Sequence, residues 1–218
     1  MRTMFKAMFG LSLVVMAASP AFAQGGRGGM MGGGGGLGTL IGNEGVQKEL
    51  KLDDTQVEKA KEFAAKAREK QTEFREKVQG LEGDERRTKQ QEFQKEMNEE
   101  ALKAFGEFLK PEQLTRLKQI SYHQRGAMAF ADPEVAKKLN LTDAQKTEIQ
   151  TINQESGAQM REIFQSAGDD REAAQKKMVE LRKETLEKAT AKLNDEQQKT
   201  WKELIGAPFT VTFAPRGQ

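Results

Sequence analysis

The sequence contains no cysteine and a single histidine, His123. Without cysteine, the chain cannot form disulfide bonds, thiolate metal sites or a cysteine nucleophile. One histidine cannot build a histidine-based metal cluster within a chain, and its position on a predicted helix favours a surface or packing role. Carboxylates are numerous but evenly spread, so no acid–base couple stands out. These absences predict a protein that is not an enzyme and that holds no cofactor and no metal.

A strong charge of either sign is also missing. The chain has 35 basic and 33 acidic residues, and lysine, arginine and glutamate alternate along most of it. Nucleic-acid-binding proteins usually carry clustered basic residues, whereas interleaved charges are typical of solvated helix faces. The composition therefore predicts no nucleic-acid partner.

The N-terminus has the three parts of a secretory signal peptide. A short basic region at Arg2 and Lys6 precedes an apolar run from Leu11 to Ala17, and the small-residue motif Ala21-Phe22-Ala23 follows. The apolar run is too short to span a bilayer, and no later segment is more apolar. We expect residues 1–23 to be removed by cleavage after Ala23. The mature protein is predicted to be periplasmic, without membrane insertion.

Low-complexity sequence follows the predicted cleavage site. Residues 24–39 are dominated by glycine, which loses much entropy on ordering and has little to bury. We interpret them as a disordered tether. At the other end, Gly206 and Pro208 end the last predicted helix, and residues 207–218 are expected to form an extended tail.

The pattern Leu-x-x-x-Gln occurs four times, each time before a helical hydrophobic pattern. Such a start matches a capping box, in which the first polar residue accepts a bond from the third helical amide and glutamine bonds back. In one copy proline at the first helical position replaces the cap. The residues assigned to this structural role are Leu52, Asp53 and Gln56; Leu109, Pro111 and Gln113; Leu141, Thr142 and Gln145; and Leu193, Asn194 and Gln197.

The chain repeats itself. Leu141 lies 89 residues after Leu52, and Leu193 lies 84 residues after Leu109. Gly168 lies 85 residues after Gly83, so the offset drops by four within the first long helix; four residues are about one helical turn, which preserves a buried face across a deletion. We interpret this spacing as an internal duplication. The sequence thus predicts an all-α fold of long antiparallel, coiled-coil-like helical hairpins in two tandem units, residues 40–130 and 131–206.

The helix starts, of which Leu141-Thr142-x-x-Gln145 is the fullest, resemble the periplasmic LTxxQ-motif family that includes Spy/CpxP-like proteins. The resemblance covers roughly residues 50–205. It implies holding of unfolded proteins without ATP, or a part in the envelope stress response. It also implies that one chain with four motifs imitates a family dimer.

Apolar residues off the main helical stripes are candidates for binding unfolded envelope proteins. They are Phe63, Leu102 and Phe105, together with Met97. An apolar patch with a charged rim suits a chaperone, and methionine makes such a patch adaptable. Taken singly, each residue is better explained as part of the core. Two alternatives stay open: a structural or regulatory envelope protein with one dedicated partner, and a metal-binding stress sensor.

Overall fold

The computed structural model describes residues 36–168 and 170–212 and confirms the all-α class. No strand occurs in these two ranges. The helices are α1 (Leu37–Ile41), α2 (Glu44–Glu49), α3 (Asp54–Lys77), α4 (Gly83–Phe108), α5 (Pro111–Arg125), α6 (Pro133–Lys138), α7 (Asp143–Ser166), α8 (Arg171–Thr190) and α9 (Asp195–Ile205), with a 3-10 segment at Gly126–Ala131 between α5 and α6. The predicted signal peptide with its cleavage site at Ala23 lies outside the described residues.

Helices α3 and α4 form a long hairpin. Three contacts join successive levels of the two helices: the rings of Phe63 and Phe105 at 4.7 Å, Lys70 and Glu100 at 2.6 Å, and the rings of Phe74 and Phe93 at 4.2 Å. Over these three contacts the residue numbers rise along α3 and fall along α4. The pair is therefore antiparallel.

Helices α7 and α8 form a second antiparallel hairpin. Lys192 lies 3.1 Å from the carboxylate of Glu148, and Thr185 is hydrogen-bonded to Ser156 at 2.9 Å. From the first of these contacts to the second, residue numbers rise along α7 from 148 to 156 and fall on the α8 side from 192 to 185, so this pair is also antiparallel. The two hairpins are joined through α5, the 3-10 segment and α6.

Each hairpin base contributes to its own hydrophobic cluster. The first cluster combines α1, α2, α5 and the base of α3 and α4, with Leu40, Ile41, Phe105 and Leu117 fully buried. The second combines the 3-10 segment, α6, α9 and the base of α7 and α8; in it Phe130 packs on Trp201 at 4.4 Å between ring centroids. All described residues belong to one compact unit. Within that unit α5 supplies residues to both clusters.

Order begins earlier than the predicted tether boundary. Helix α1 starts at Leu37, and Leu37 and Leu40 are buried in the first cluster. Residues 36–39 therefore do not belong to a disordered tether, because two leucines close to the glycine tract have a core to enter. Residues 24–35 lie outside the described range.

Helix α4 starts without a side-chain cap. It begins at Gly83, one residue before Asp84, and no side-chain cap bond forms. Gly83 has φ +55°, a left-handed conformation that glycine adopts at little cost. The turn is thus set by the backbone of glycine rather than by the aspartate.

Candidate functional site

The first helix start is built on a tight turn between α2 and α3. Lys51 has φ +51°, its amide bonds to the Lys48 carbonyl at 3.0 Å, and the Leu52 amide bonds to the Gln47 carbonyl at 3.1 Å. These are the two bonds of a Schellman ending, which normally uses glycine at the left-handed position. Leu52 therefore closes α2 as well as preceding the cap of α3.

The capping boxes form at the three predicted positions, Asp53, Thr142 and Asn194. At the first, the carboxylate of Asp53 accepts from the Gln56 amide at 2.9 Å, and the Asp53 amide donates to Gln56 Oε1 at 3.1 Å. At α5 only the return bond forms, from the Lys110 amide to Gln113 Oε1 at 2.8 Å. A lysine side chain has no oxygen to accept the other.

Two of these glutamines meet across the base of the first hairpin. Gln56 Nε2 donates to Gln113 Oε1 at 2.9 Å, and Gln113 Nε2 donates to Gln56 Oε1 at 3.1 Å. Gln56 also donates to the Phe108 carbonyl at the end of α4, and Gln113 donates to the Leu50 carbonyl at the end of α2. Each glutamine thus begins one helix, caps the end of another and pairs with its counterpart.

The second helix starts repeat this arrangement. Gln145 Nε2 donates to Gln197 Oε1 at 2.8 Å, and the reverse bond measures 3.1 Å. Gln145 also bonds to the Lys192 carbonyl, and Gln197 bonds to the Leu139 carbonyl. Asn140 takes the left-handed position with φ +49°. We call these arrangements the first junction (Lys51, Gln56, Gln113 and their partners) and the second junction (Asn140, Gln145, Gln197 and their partners).

The amides of all four junction glutamines are hydrogen-bonded within the chain. Gln56, Gln113 and Gln197 are also buried. A binding or catalytic site needs polar groups that point at a ligand, and here those groups close helix ends. The Leu-x-x-x-Gln glutamines therefore stabilise helix ends in this fold.

The outer parts of the hairpins differ from these bases. We call residues 65–100 the first arm and residues 150–180 the second arm. In the first arm Phe74 is the single buried hydrophobic side chain, and in the second arm Ala174 and Met178 are. Two helices alone cannot bury both faces of a hairpin, so apolar side chains along each arm remain in contact with solvent.

Three large apolar side chains are exposed among the described residues: two lie on the second arm, and the third, Met128, lies in the 3-10 segment. Val179 on α8 is 63% exposed and Phe164 on α7 is 38% exposed. The antiparallel pairing that joins Ser156 to Thr185 brings Phe164 level with the part of α8 that carries Val179. Adjacent helix positions, including Glu162, Lys177 and Glu180, carry charged and exposed side chains. Two apolar side chains therefore stand exposed among charged ones at one level of the second arm.

The four candidate binding residues lie in different environments. Phe105 is completely buried against Phe63, so its predicted exposure at a binding surface is wrong. Phe63 and Leu102 pack partly buried on the first cluster, and Met97 is half-buried on the first arm. The first three lie near the hairpin base, where α1 covers them.

Sequence reasoning missed Phe164 and Val179. The inward stripe of α7 runs through Met160 and Ile163, and that of α8 runs through Met178 and Leu181. Both missed residues stand off those stripes. The criterion that selected Phe63 in the first hairpin would therefore have found them in the second.

Charged groups cluster where α5 meets α6, away from the arms. Burial opposes ionisation of Glu134, but hydrogen bonds from Lys118 and Lys138 outweigh it and lower the pKa of the carboxyl. Burial, with the nearby charges of Glu134 and Asp132, raises the pKa of the Tyr122 phenol. These groups stabilise a contact between helices, and no reacting pair is formed by them.

His123 lies in the same region. Its Nε2 atom is buried without a hydrogen-bond partner within the described part of the chain. No group of three or more metal-binding side chains occurs among the described residues. Over those residues, none of the helices has the length and apolar character needed to cross a membrane.

Comparison with protein-family models, curated proteins and solved structures returned no match. The junctions and arms are therefore the features from which a function is inferred.

Proposed function

We propose that this protein is an exported helical chaperone that holds apolar segments of unfolded proteins on its arms without ATP. The observation that carries the proposal is the exposure of Phe164 and Val179 on the second arm. Exposed apolar groups of this size cost solubility, and a charged rim around them is typical of interaction surfaces. The charged neighbours keep the free protein soluble.

The construction of the arms suits a holding function. Apolar contact is non-directional, so an unfolded segment needs no particular sequence to bind there. Half-buried Met97 and Phe93 extend the same kind of surface along the first arm. Because each contact is small, binding is reversible and needs no energy source. We therefore assign client binding to the arms and mechanical support to the junctions.

Membership of the LTxxQ-motif family and a periplasmic location belong to the same proposal. Its support is the residue pattern of the four helix starts and the two equivalent glutamine pairs that they form. The equivalence of those pairs also supports the internal duplication. Each hairpin with its junction would then correspond to one ancestral unit.

The test is suppression of aggregation of several unrelated unfolded proteins by the purified mature chain without nucleotide. We expect suppression at a small molar excess. The double variant Phe164→Gln with Val179→Gln should lose most of it. Glu162→Gln with Glu180→Gln is the matched control, because it puts the same side chains at exposed neighbours on the same helices, and it should retain activity.

Two results would contradict the proposal. Absence of suppression with every substrate would favour an envelope protein with one dedicated partner. Equal activity of the Phe164→Gln, Val179→Gln variant and the wild type would place client binding elsewhere than the second arm. Circular dichroism of each variant separates these outcomes from unfolding.

A further inference from the structure

The segment after α9 leaves the second half and packs on the first. Phe209 and Val211 contact the first hydrophobic cluster and are partly buried, whereas Thr210 and Thr212 are exposed. Alternate residues facing a surface are typical of an extended chain. We call residues 207–212 the tail. The predicted extended tail is thus seen in its first half, and its remaining residues lie outside the described range.

Two side chains of the first half hold the tail by its backbone. Arg116 donates to the Ala207 carbonyl at 2.8 Å, and Asn43 Nδ2 donates to the Thr212 carbonyl at 2.8 Å. Because both acceptors are backbone oxygens, these bonds are independent of the side chains bound. The apolar contacts of Phe209 and Val211 add one requirement: a bound segment needs two apolar residues separated by one residue.

Both donors are positioned by their own surroundings. Asn43 Oδ1 caps α2 by accepting from the Val46 amide at 3.1 Å, which aims Nδ2 outward. Arg116 is paired with Glu49 at 2.8 Å. We call the surface that Asn43, Arg116 and the first cluster present to the tail the groove; its two hydrogen-bond donors are held in place by these other bonds. Such preorganisation lowers the entropic cost of binding.

We propose that this groove is a binding site for an extended segment of another polypeptide in which two apolar residues are separated by one polar residue. The tail is its built-in competitor. The tail holds the groove through two partly buried side chains and a few hydrogen bonds, and it relies on its covalent attachment for a high local concentration. A segment of the same pattern displaces it when present at sufficient concentration. This site is separate from the arms.

The test uses the full chain and a fluorescent peptide with the sequence of residues 207–214, followed by anisotropy. Phe209→Ser with Val211→Ser should release the tail without altering the groove. We expect this variant to bind the peptide at least about tenfold more tightly than the wild type, since the intramolecular competitor is gone. Thr210→Ser with Thr212→Ser is the matched control on the exposed side of the tail and should bind as the wild type does.

A groove variant identifies where the peptide binds. Asn43→Asp keeps the oxygen that caps α2 but loses the donor to the bound backbone. In the tail-released chain it should weaken peptide binding about fivefold, the usual effect of one hydrogen bond.

Equal peptide affinity of the wild-type and tail-released chains would overturn the proposal, as would an unchanged affinity after Asn43→Asp. Light scattering supplies a third check. A wild-type dimer that the tail-released variant cannot form would show that the tail docks on a second copy, which would also overturn it.

Discussion

The first and second junctions have the same hydrogen bonds but different surroundings. In the first, Gln56 and Gln113 are 7% and 6% exposed. In the second, Gln197 is buried to a similar degree, but Gln145 is only half-buried; the cap residues Asp53 and Thr142 are exposed in both. Water can replace a lost partner at an exposed amide and cannot do so at a buried one. The same motif should therefore contribute unequally to stability in the two halves.

The largest loss of stability is expected when the glutamine at the start of α5 or of α9 is removed. Gln113→Ala removes one of the two partners of each polar atom of the buried Gln56 amide, and it removes the Gln113 bond to the Leu50 carbonyl. We expect a loss of about 3 kcal/mol in the free energy of unfolding. Gln197→Ala should cost about 2 kcal/mol, because water reaches Gln145. Urea denaturation of both variants measures the difference. Equal losses, or the reverse order, would contradict the proposed effect of burial.

A smaller loss is expected at the exposed side of the second junction. Thr142→Ala with Gln145→Ala removes the capping box of α7 and the bond to the Lys192 carbonyl. Because these groups are partly solvated, we expect a cost of about 1–2 kcal/mol. The corresponding first-junction variant, Asp53→Ala with Gln56→Ala, should cost more. Thermal unfolding of the two double variants measures both losses. A larger loss in the second-junction variant would contradict the proposed effect of burial.

The left-handed residues offer a gain instead of a loss. Lys51 and Asn140 occupy the same turn position with φ near +50°. Asparagine tolerates this conformation better than lysine does. Lys51→Gly should therefore stabilise the protein by about 0.5–1 kcal/mol, and Asn140→Gly by about half of that or less. Equal gains in urea midpoint would show that the turn is no more strained at Lys51 than at Asn140.

The smallest effect concerns a contact with no counterpart in the first half. Glu134 accepts from Lys118 and Lys138, whereas Gly45 stands 89 residues earlier. Folding lowers the pKa of Glu134 below its ordinary value of 4.5. Its contribution to the free energy of unfolding is therefore present above pH 4.5 and is lost as the pH falls below that value.

Glu134→Gln should accordingly cost about 0.5 kcal/mol at pH 7, because the carboxylate is 37% exposed and screened. The difference from the wild type should shrink as the pH falls below the ordinary pKa of 4.5. Denaturation at pH 7 and at acidic pH checks this, and a loss that does not shrink at acidic pH would assign the effect to packing.

The sequence was sufficient to predict the all-α class and the capping boxes, because both depend on local residue patterns. It did not predict that Gln56 pairs with Gln113, since that contact joins residues 57 positions apart. The positive φ of Lys51 carried no signal either, because glycine usually marks such a turn. Phe105 was misplaced because periodicity within α4 does not show that α1 covers the base.

The arms are where local pattern and tertiary packing disagree most. A stripe such as Ile163 and Met178 predicts which face of a hairpin turns inward, but the number of covering helices decides how much is buried. Phe164 and Val179 remain exposed because the second arm is two helices thick where they lie. Near the hairpin base, where more helices pack together, the same sequence pattern would give buried side chains.

The most direct test of the account compares a junction variant with an arm variant in the same aggregation assay. At a temperature where both are folded, Thr142→Ala with Gln145→Ala should suppress aggregation as the wild type does. Phe164→Gln with Val179→Gln should have lost most of its activity. A folded junction variant that no longer holds unfolded protein, beside a fully active arm variant, would contradict the division between supporting junctions and binding arms.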